Sequence, residues 1–265
     1  MKSWIKVLIG IGLLVLLVAI SFALTQRQEP QVQARLVALA DGQGGDPLAG
    51  FLRAKAPANL EFPSDHGPHL DYQTEWWYYT GNLATADGRR FGYQLTFFRR
   101  ALTPPALRSD RPSAWAADQV YMAHFALTDV SAGRFYAYER FSRGAGGLAG
   151  AQAEPYHVWL EDWEVREIEP GVARLLAAQD GLVLDLVLTD QQGPILQGDS
   201  GYSPKGPQPG NASYYYSQTR LESAGTVQVA DAVYPVDGLS WMDHEWSTVG
   251  LAADQVGWDW FSIQL

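Results

Sequence analysis

The sequence predicts an all-β protein built from antiparallel strands, and three observations support this fold class. Apolar and polar residues alternate along many short segments, as they do in strands that bury one face. Turn dipeptides such as Asp87-Gly88 and Asp180-Gly181 separate these segments. Aromatic residues make up 12% of the chain, which suits sheets better than helical bundles. No strand–helix–strand pattern is visible, so we expect an antiparallel barrel or sandwich.

The first 25 residues have the pattern of a signal peptide or a membrane anchor. Lys2 and Lys6 precede an uncharged apolar run at 7–24, which as an α-helix would span roughly 27 Å. Two alternatives stay open: a signal peptide cleaved near 21–23, or an apolar transmembrane helix that is retained. Both predict that the cations stay cytoplasmic and that the rest of the chain is exported, to the periplasm or the cell exterior.

Residues 26–61 are expected to be a linker, and 62–240 the β-domain. Gln, Ala, Gly and Pro dominate the linker, with a glycine-rich breaker at 41–45. The expected strands lie at 75–80, 91–97, 120–129, 135–141, 172–178, 182–189, 214–222, 226–229, 233–241 and 256–265.

The last segment, 256–265, resembles a strand that stops without a turn or a polar tail. An unpaired apolar strand would expose an edge on which other chains can pair. We therefore expect this chain to be a piece of a longer protein.

Charge and cysteine content exclude several classes of function. The chain has 19 Lys and Arg against 29 Asp and Glu, a net charge of −10. Such an acidic body repels phosphate backbones, so nucleic acid is not an expected partner. The chain has no cysteine, which excludes disulfides, thiolate metal sites, cysteine nucleophiles and a lipid-modified cysteine.

The densest group of reactive side chains lies at 243–246. Strand alternation places His244 and Trp246 on one face, and Asp243 and Glu245 on the other. A histidine beside a tryptophan on an inward face can serve as an acid or base in an apolar pocket. A structural core histidine with two solvent-facing carboxylates is the alternative, and both interpretations stay open.

A second group surrounds His66 and His69. Together with Glu75 these imidazoles could hold a metal, but Gly67 and Pro68 break any helix that would align them. A polar loop at the barrel entrance is the favoured interpretation. We expect no metal and no organic cofactor.

Glu75 is expected to share one strand face with Trp77 and Tyr79. If that face is buried, the carboxylate needs a partner, and Arg99 or Arg100 on the adjacent hairpin strand could provide it. A structural ion pair and a catalytic role both fit this pattern.

Four ordered motifs resemble those of the AttH-like family, which includes carotenoid 1,2-hydratases and is also catalogued as predicted secreted hydrolases. The resemblance covers roughly residues 62–265. The motifs are FPSDHGPH (62–69) with YQTEWWYYTG (72–81); QLTFFR (94–99); LQG (196–198) through GYSPK (201–205) and YYYS (214–217); and WMDHEWST (241–248) with GWDWF (257–261).

The resemblance implies a fold and a set of site residues. The fold is a pair of lipocalin-like β-barrels in tandem, the second starting near 241 and truncated in this chain. The family's H-x-W position implies that His244 and Trp246 are catalytic. We add neighbouring acids and aromatic side chains as candidates. The candidate set is therefore His244, Trp246, Asp243 and Asp259 for catalysis, and Trp76, Trp77, Tyr79 and Trp258 for ligand binding.

Two functions from different classes follow. In an isoprenoid-type hydratase, a positioned acid protonates a C=C bond and aromatic faces stabilise the cation before water adds. A non-catalytic protein of the cell envelope would bind a hydrophobic small molecule with the same pocket. A secreted hydrolase is less favoured: 198–201 mimics a trypsin-like nucleophile turn, yet Tyr202 replaces the expected glycine. The other expected partners are the membrane, through the N-terminal segment, and the missing C-terminal barrel.

Overall fold

The computed structural model describes residues 48–108, 113–248 and 255–263. Within these ranges thirteen antiparallel strands form one continuous sheet. The strands are β1 Thr74–Ala84, β2 Arg90–Ala101, β3 Gln119–Asp129, β4 Arg134–Arg143, β5 Ala149–Gln152, β6 His157–Leu160, β7 Trp163–Glu169, β8 Val172–Gln179, β9 Leu182–Asp190, β10 Ile195–Leu196, β11 Tyr202–Pro204, β12 Ala212–Val229 and β13 Ala232–Ser247.

The sheet curls into a nearly closed barrel, which confirms the all-β antiparallel fold class and is consistent with a lipocalin-like barrel. Its strand order is β4-β3-β2-β1-β13-β12-β9-β8-β7-β6-β5, with β10 and β11 paired to β12. Most neighbours are sequential hairpins, whereas β1 pairs with β13 and so joins the two ends of the domain. The helical structure described consists of short 3-10 turns at Ser64–His66 and Pro105–Leu107.

Alternate side chains of the strands point to the inside of the barrel, as the sequence predicts. Four alternate residues of β2 are buried, and the four leucines of β9 share the inner face in the same way. The turn between β8 and β9 has φ of 48° at Asp180 and 80° at Gly181. Positive φ at both positions is typical of the two-residue hairpin that this dipeptide predicts. The buried residues concerned are Phe91, Tyr93, Leu95 and Phe97 in β2, and Leu182, Leu184, Leu186 and Leu188 in β9.

Side chains bridge the seam of the barrel, between edge strand β4 and the strands near the opposite end of the sheet. The guanidinium of Arg140, on edge strand β4, donates to the carbonyl of Ala178 (3.1 Å) and to Oε1 of Gln179 (2.8 Å). The same group lies 4.3 Å from the ring centroid of Trp163 and forms an ion pair with Asp162. Arg140 therefore ties β4 to the β6–β7 turn and to the end of β8 across the seam.

Several sequence-based predictions differ from the structure. Strands β5, β6, β7, β10 and β11 were not predicted, and the segments at 214–222 and 226–229 form one strand. The described part of 256–265 is not a strand, so that prediction is wrong. Strand β13 runs through the expected domain boundary at 240, and residues 241–247 pair with β1 in the first barrel. A second barrel stays a prediction.

The expected signal peptide or anchor at 1–25, and most of the expected linker, lie outside the described residues. In the part of the chain that the structure describes, no helix combines the length and apolarity needed to cross a membrane.

Candidate functional site

The register of four adjacent strands brings the candidate side chains together on the inner face of the barrel. On β1, Glu75 lies opposite Arg99 of β2 and opposite Trp246 of β13. Two residues further along β1, Trp77 lies opposite His244. Because alternate residues share a face, one patch collects these polar and aromatic groups.

The segment before β1 covers this patch and is tied to it by hydrogen bonds. The indole of Trp77 donates to the carbonyl of His66 (3.0 Å). The guanidinium of Arg99 donates to the carbonyls of His69 (2.8 Å) and Tyr72 (2.9 Å). These bonds hold His66 and His69 over the end of the barrel. The polar loop expected at 65–71 thus contributes imidazoles to the inner cluster.

Glu75 is the centre of the cluster. Its Oε2 accepts from Nε of Arg99 (2.7 Å), and its Oε1 accepts from Nδ1 of His69 (2.7 Å) and Nε2 of His244 (2.8 Å). The backbone N–H of His69 also points at both oxygens, at 3.1 and 3.0 Å. These four donors match the roughly four lone-pair sites of an ionised carboxylate. Of the two expected partners, Arg99 is confirmed, whereas Arg100 bonds to Thr74.

Electrostatics separate the protonation states of the clustered groups. Burial raises the pKa of Glu75, but the charge of Arg99 and the bonds from His244 and His69 outweigh it and hold that pKa well below its usual value. Burial lowers the pKa of His69, yet its bonds to Asp65 and Glu75 raise it overall. Burial lowers the pKa of His244 to about 4, against a partial opposing effect of Glu75. His244 is therefore neutral at pH 7.

Aromatic rings surround His244. The ring centroid of Trp77 lies 4.8 Å from that of His244, and those of Trp246 and Tyr216 lie at 4.9 and 5.3 Å. His69 stacks on Trp246 at 3.6 Å. The inward orientation expected for His244 and Trp246 is what the structure shows, and the surface around the imidazole is apolar and π-rich.

The distances between Glu75 and its two imidazole partners are those of hydrogen bonds and are too short for ligands of a common metal ion. Among the described residues, one atom each from His69, Glu75 and His244 lies within 4.8 Å of the others. Ligands around tetrahedral zinc would be about 3.3 Å apart, whereas both imidazole nitrogens lie 2.7–2.8 Å from the same carboxylate oxygen. The guanidinium of Arg99 adds a fixed positive charge beside that carboxylate.

A family model described as AttH-like matches residues 53–265. The chain belongs to the AttH-like family. A solved structure assigned as AttH from Nitrosomonas europaea is 34% identical, with a TM-score of 0.68, over 77% of this chain and 60% of that one. Kievitone hydratase from Nectria haematococca is 10% identical, with a TM-score of 0.52, over 76% and 56%, and shows a likeness of fold. This AttH-like chain spans about three fifths of these structures. No curated protein sequence matches it.

The other candidate residues of the AttH-like chain are distributed over both faces of the sheet. Tyr79 is buried inside the barrel with Trp77, and its hydroxyl lies 2.7 Å from that of Tyr156. Trp76 points to the outer face and is half-buried. Trp258 and Asp259 are exposed on the 255–263 segment, so the structure does not bring them to His244.

Asp243 lies on the outer face, opposite to His244, as alternation predicts, but it is buried. Its Oδ1 accepts from Tyr215 (2.9 Å), Ser217 (2.5 Å) and Trp241 (2.7 Å). Burial raises its pKa, which these bonds partly offset. Glu245 is also buried and lies 2.6 Å from Nζ of Lys205. The two carboxylates therefore form a separate, covered polar patch and do not face solvent.

Tyr216 is a site residue that the sequence analysis missed. Its hydroxyl lies 2.7 Å from Nδ1 of His66 and 3.2 Å from Nδ1 of His244, and so links the two imidazoles. Its position in the tyrosine run at 214–216 indicates a strand but not which strand it meets. The pairing of Tyr216 with His244 becomes visible only with the β12–β13 register.

Proposed function

We propose that this AttH-like protein binds an apolar, alkene-bearing molecule in its barrel and adds water across a C=C bond. The observation that carries this proposal is the buried group of imidazoles and a carboxylate, with Glu75 and His244 at its centre, enclosed by aromatic rings.

The reaction requires an acid and a cation-stabilising surface in a water-poor site. Protonation of a trisubstituted alkene gives a tertiary cation, which the faces of Trp77, Trp246 and Tyr216 can stabilise. The imidazolium form of a buried histidine with a lowered pKa is a stronger acid than the imidazolium form of an ordinary histidine. It therefore transfers its proton to the alkene more readily. The likeness to kievitone hydratase supports the fold and carries no argument about the reaction or the substrate.

A non-catalytic binding protein is the second candidate, and one observation favours it. Both ring nitrogens of His244 are hydrogen-bonded, and every lone-pair site of Glu75 has a donor. A fully satisfied polar network is what a structural core needs. In that case the barrel would hold the apolar molecule without transforming it.

An acyclic isoprenoid alcohol, farnesol, separates these candidates. Binding to the full chain is measured by quenching of tryptophan fluorescence, and hydration by the gain of one water in mass spectrometry. A hydratase binds and hydrates the probe, and His244→Ala lowers the rate by about 10²–10⁴-fold while binding persists. Trp246→Ala weakens both binding and rate. His124→Ala, on the outer face beside Glu139, is the matched control.

The outcomes are distinct. Binding without hydration in the wild-type chain establishes the binding protein and excludes the hydratase for this class of alkene. Absence of binding contradicts both candidates.

We also propose that residues 1–25 direct export, so that the body of the protein is secreted or is held by an anchor on the periplasmic or extracellular face of the membrane. The support is the charged, then apolar, pattern of the segment. A fusion of 1–25 to alkaline phosphatase, an enzyme that becomes active only outside the cytoplasm, should show phosphatase activity. N-terminal sequencing of the mature chain distinguishes cleavage from retention, and an inactive but expressed fusion contradicts export.

A further inference from the structure

The carboxylate of Glu75 determines the proton positions of its neighbours. Because an ionised carboxylate only accepts hydrogen bonds, the nitrogen of His244 that faces it, Nε2, must carry a proton. His244 is neutral, so its other nitrogen, Nδ1, then has a lone pair. That lone pair faces the hydroxyl of Tyr216 at 3.2 Å.

The hydroxyl of Tyr216 extends this donor–acceptor order to His66. Since Nδ1 of His244 can only accept, the single hydroxyl proton of Tyr216 is donated to it. The oxygen of Tyr216 is then left as an acceptor for Nδ1 of His66, at 2.7 Å. His66 therefore carries its proton on Nδ1, and its Nε2 has a free lone pair.

His66 is the one imidazole of the cluster with a ring nitrogen left for a ligand. His244 is 0% exposed and both its nitrogens are hydrogen-bonded. His69 uses both nitrogens on Asp65 and Glu75. In the described ranges, Nε2 of His66 has no hydrogen-bond partner, and the residue is half-buried.

The surroundings of His66 suit an apolar, electron-rich ligand. Three aromatic rings approach the imidazole, with centroids at 4.9 Å for Phe62, 5.6 Å for Tyr216 and 6.1 Å for Tyr156. An alkene beside Nε2 would lie among π-faces, which stabilise a developing carbocation.

We propose that His66 is the catalytic residue that touches the alkene, and that Glu75, His244 and Tyr216 are positioning residues that hold its tautomer. This inference rests on the proposed hydration and assigns its acid. As in a catalytic triad, one side chain orients the next, and the last one orients the reacting group.

The proposed step is balanced in protons and electrons. The imidazolium form of His66 gives its Nε2 proton to the less substituted alkene carbon, the π bond breaks, and a tertiary cation forms. Water adds to the cation through an oxygen lone pair. The resulting oxonium returns a proton to Nε2 of His66, so the net change is the addition of one water molecule.

The charged and titratable groups around His66 determine its pH behaviour. Burial lowers the pKa of His66, and the charges of Glu167, Asp190 and Asp65 offset part of that effect. Tyr156, Tyr216 and His244 are titratable groups that also face His66. The neutral imidazole therefore predominates at pH 7.

Diethyl pyrocarbonate, which acylates neutral and accessible imidazole nitrogens, tests the assignment on the intact wild-type chain. Peptide mapping by mass spectrometry should show modification of His66 at least about tenfold faster than that of His244 or His69. His124 and His157, both partly exposed, serve as internal references. Equal protection of His66 and His244 would overturn the inference without any variant.

A matched pair of variants tests the catalytic role with farnesol. His66→Asn retains a donor toward Tyr216 but lacks the titrating nitrogen, so hydration should fall by about 10²–10⁴-fold with unchanged probe binding. In His244→Gln the rate falls, but the pH dependence of kcat/KM that His66 causes persists. If His66→Asn keeps the wild-type rate while the wild-type chain hydrates farnesol, the inference fails and the proposed function stands. If the wild-type chain binds farnesol without hydrating it, the proposed function fails and the catalytic role falls with it.

Discussion

Nε2 of His244 lies 2.8 Å from Oε1 of Glu75, and both side chains are fully buried although 169 positions separate them in the chain. The contact joins β1 to β13, the pairing that connects the two ends of the domain. Glu75 is also the partner of the buried Arg99. One carboxylate therefore links the stability of the barrel to the protonation of its inner cluster.

Glu75→Gln should be strongly destabilising. The amide keeps the shape but leaves the buried Arg99 without its counter-charge, and loss of one partner of a buried pair typically costs about 3–5 kcal/mol. Urea unfolding at pH 7 measures the free energy of unfolding. Asp185→Asn is the control, because its ion pair with Arg174 is partly exposed to solvent and should contribute about 1 kcal/mol or less. Equal losses in the two variants would contradict a central role of Glu75.

The stability of the fold should fall on acidification between pH 6.5 and 4. The pKa of His244 is about 4 in the fold and 6.5 ordinarily, so below pH 6.5 the unfolded chain takes up a proton that the fold excludes. The difference amounts to about 3 kcal/mol at pH 4. His66, with a lowered pKa, acts in the same direction, and His69, with a raised pKa, acts in the opposite one.

The pH effect is measured as the denaturation midpoint at steps from pH 7.5 to pH 4.5. In His244→Gln the decline should be distinctly shallower than in the wild-type chain. The lowered pKa of Glu75 adds a further loss below its ordinary value of 4.5, so that range is left out of the comparison. Parallel profiles for the two proteins would show that His244 is not the responsible group.

Local alternation accounts for most of what the sequence predicted correctly. It assigned Glu75, Trp77 and Tyr79 to one face, which the structure buries. The hairpin turn at Asp87-Gly88 predicted Arg99 or Arg100 as a neighbour of Glu75, and Arg99 is the one that bonds to it. Strands β5 and β6 were missed because each has four residues, too few for a period of two to be visible.

The composition of the site could not be predicted in the same way. The contact of Glu75 with His244 and the link from His66 to Tyr216 depend on strand order, which no local pattern encodes. The sequence therefore could not distinguish Tyr216 from the other two tyrosines of the run at 214–216. Alternation placed Asp243 correctly on the opposite face, but could not show that Trp241 and its neighbours cover that face.

Tyr216→Phe should change the protonation environment of both imidazoles that it joins. Removal of the hydroxyl leaves Nδ1 of His244 and Nδ1 of His66 unpaired, at a cost of about 1–3 kcal/mol. The ¹⁵N chemical shifts of the two rings report the change directly. Tyr215→Phe is a matched control from the same tyrosine run, because its hydroxyl bonds to Asp243 on the outer face. The link is wrong if both variants leave the shifts of His244 and His66 as in the wild-type chain.

Arg140→Ala should loosen edge strand β4 without unfolding the barrel. Arg140 provides hydrogen bonds, an ion pair and a cation–π contact that tie β4 to strands outside its own ladder. Because β4 pairs on one side with β3, its opening costs less than that of the central strands, and loss of these contacts should accelerate its amide exchange about tenfold.

Hydrogen exchange read by mass spectrometry checks this, with peptides that cover β4 compared with those that cover β1 and β13. Arg174→Ala is the control, since it removes a partly exposed pair on β8 without affecting the seam. Arg140→Lys should rescue little, because an ammonium lacks the planar fork that reaches Ala178 and Gln179 together. Uniform acceleration over all strands would show that Arg140 supports global stability instead of closing the seam.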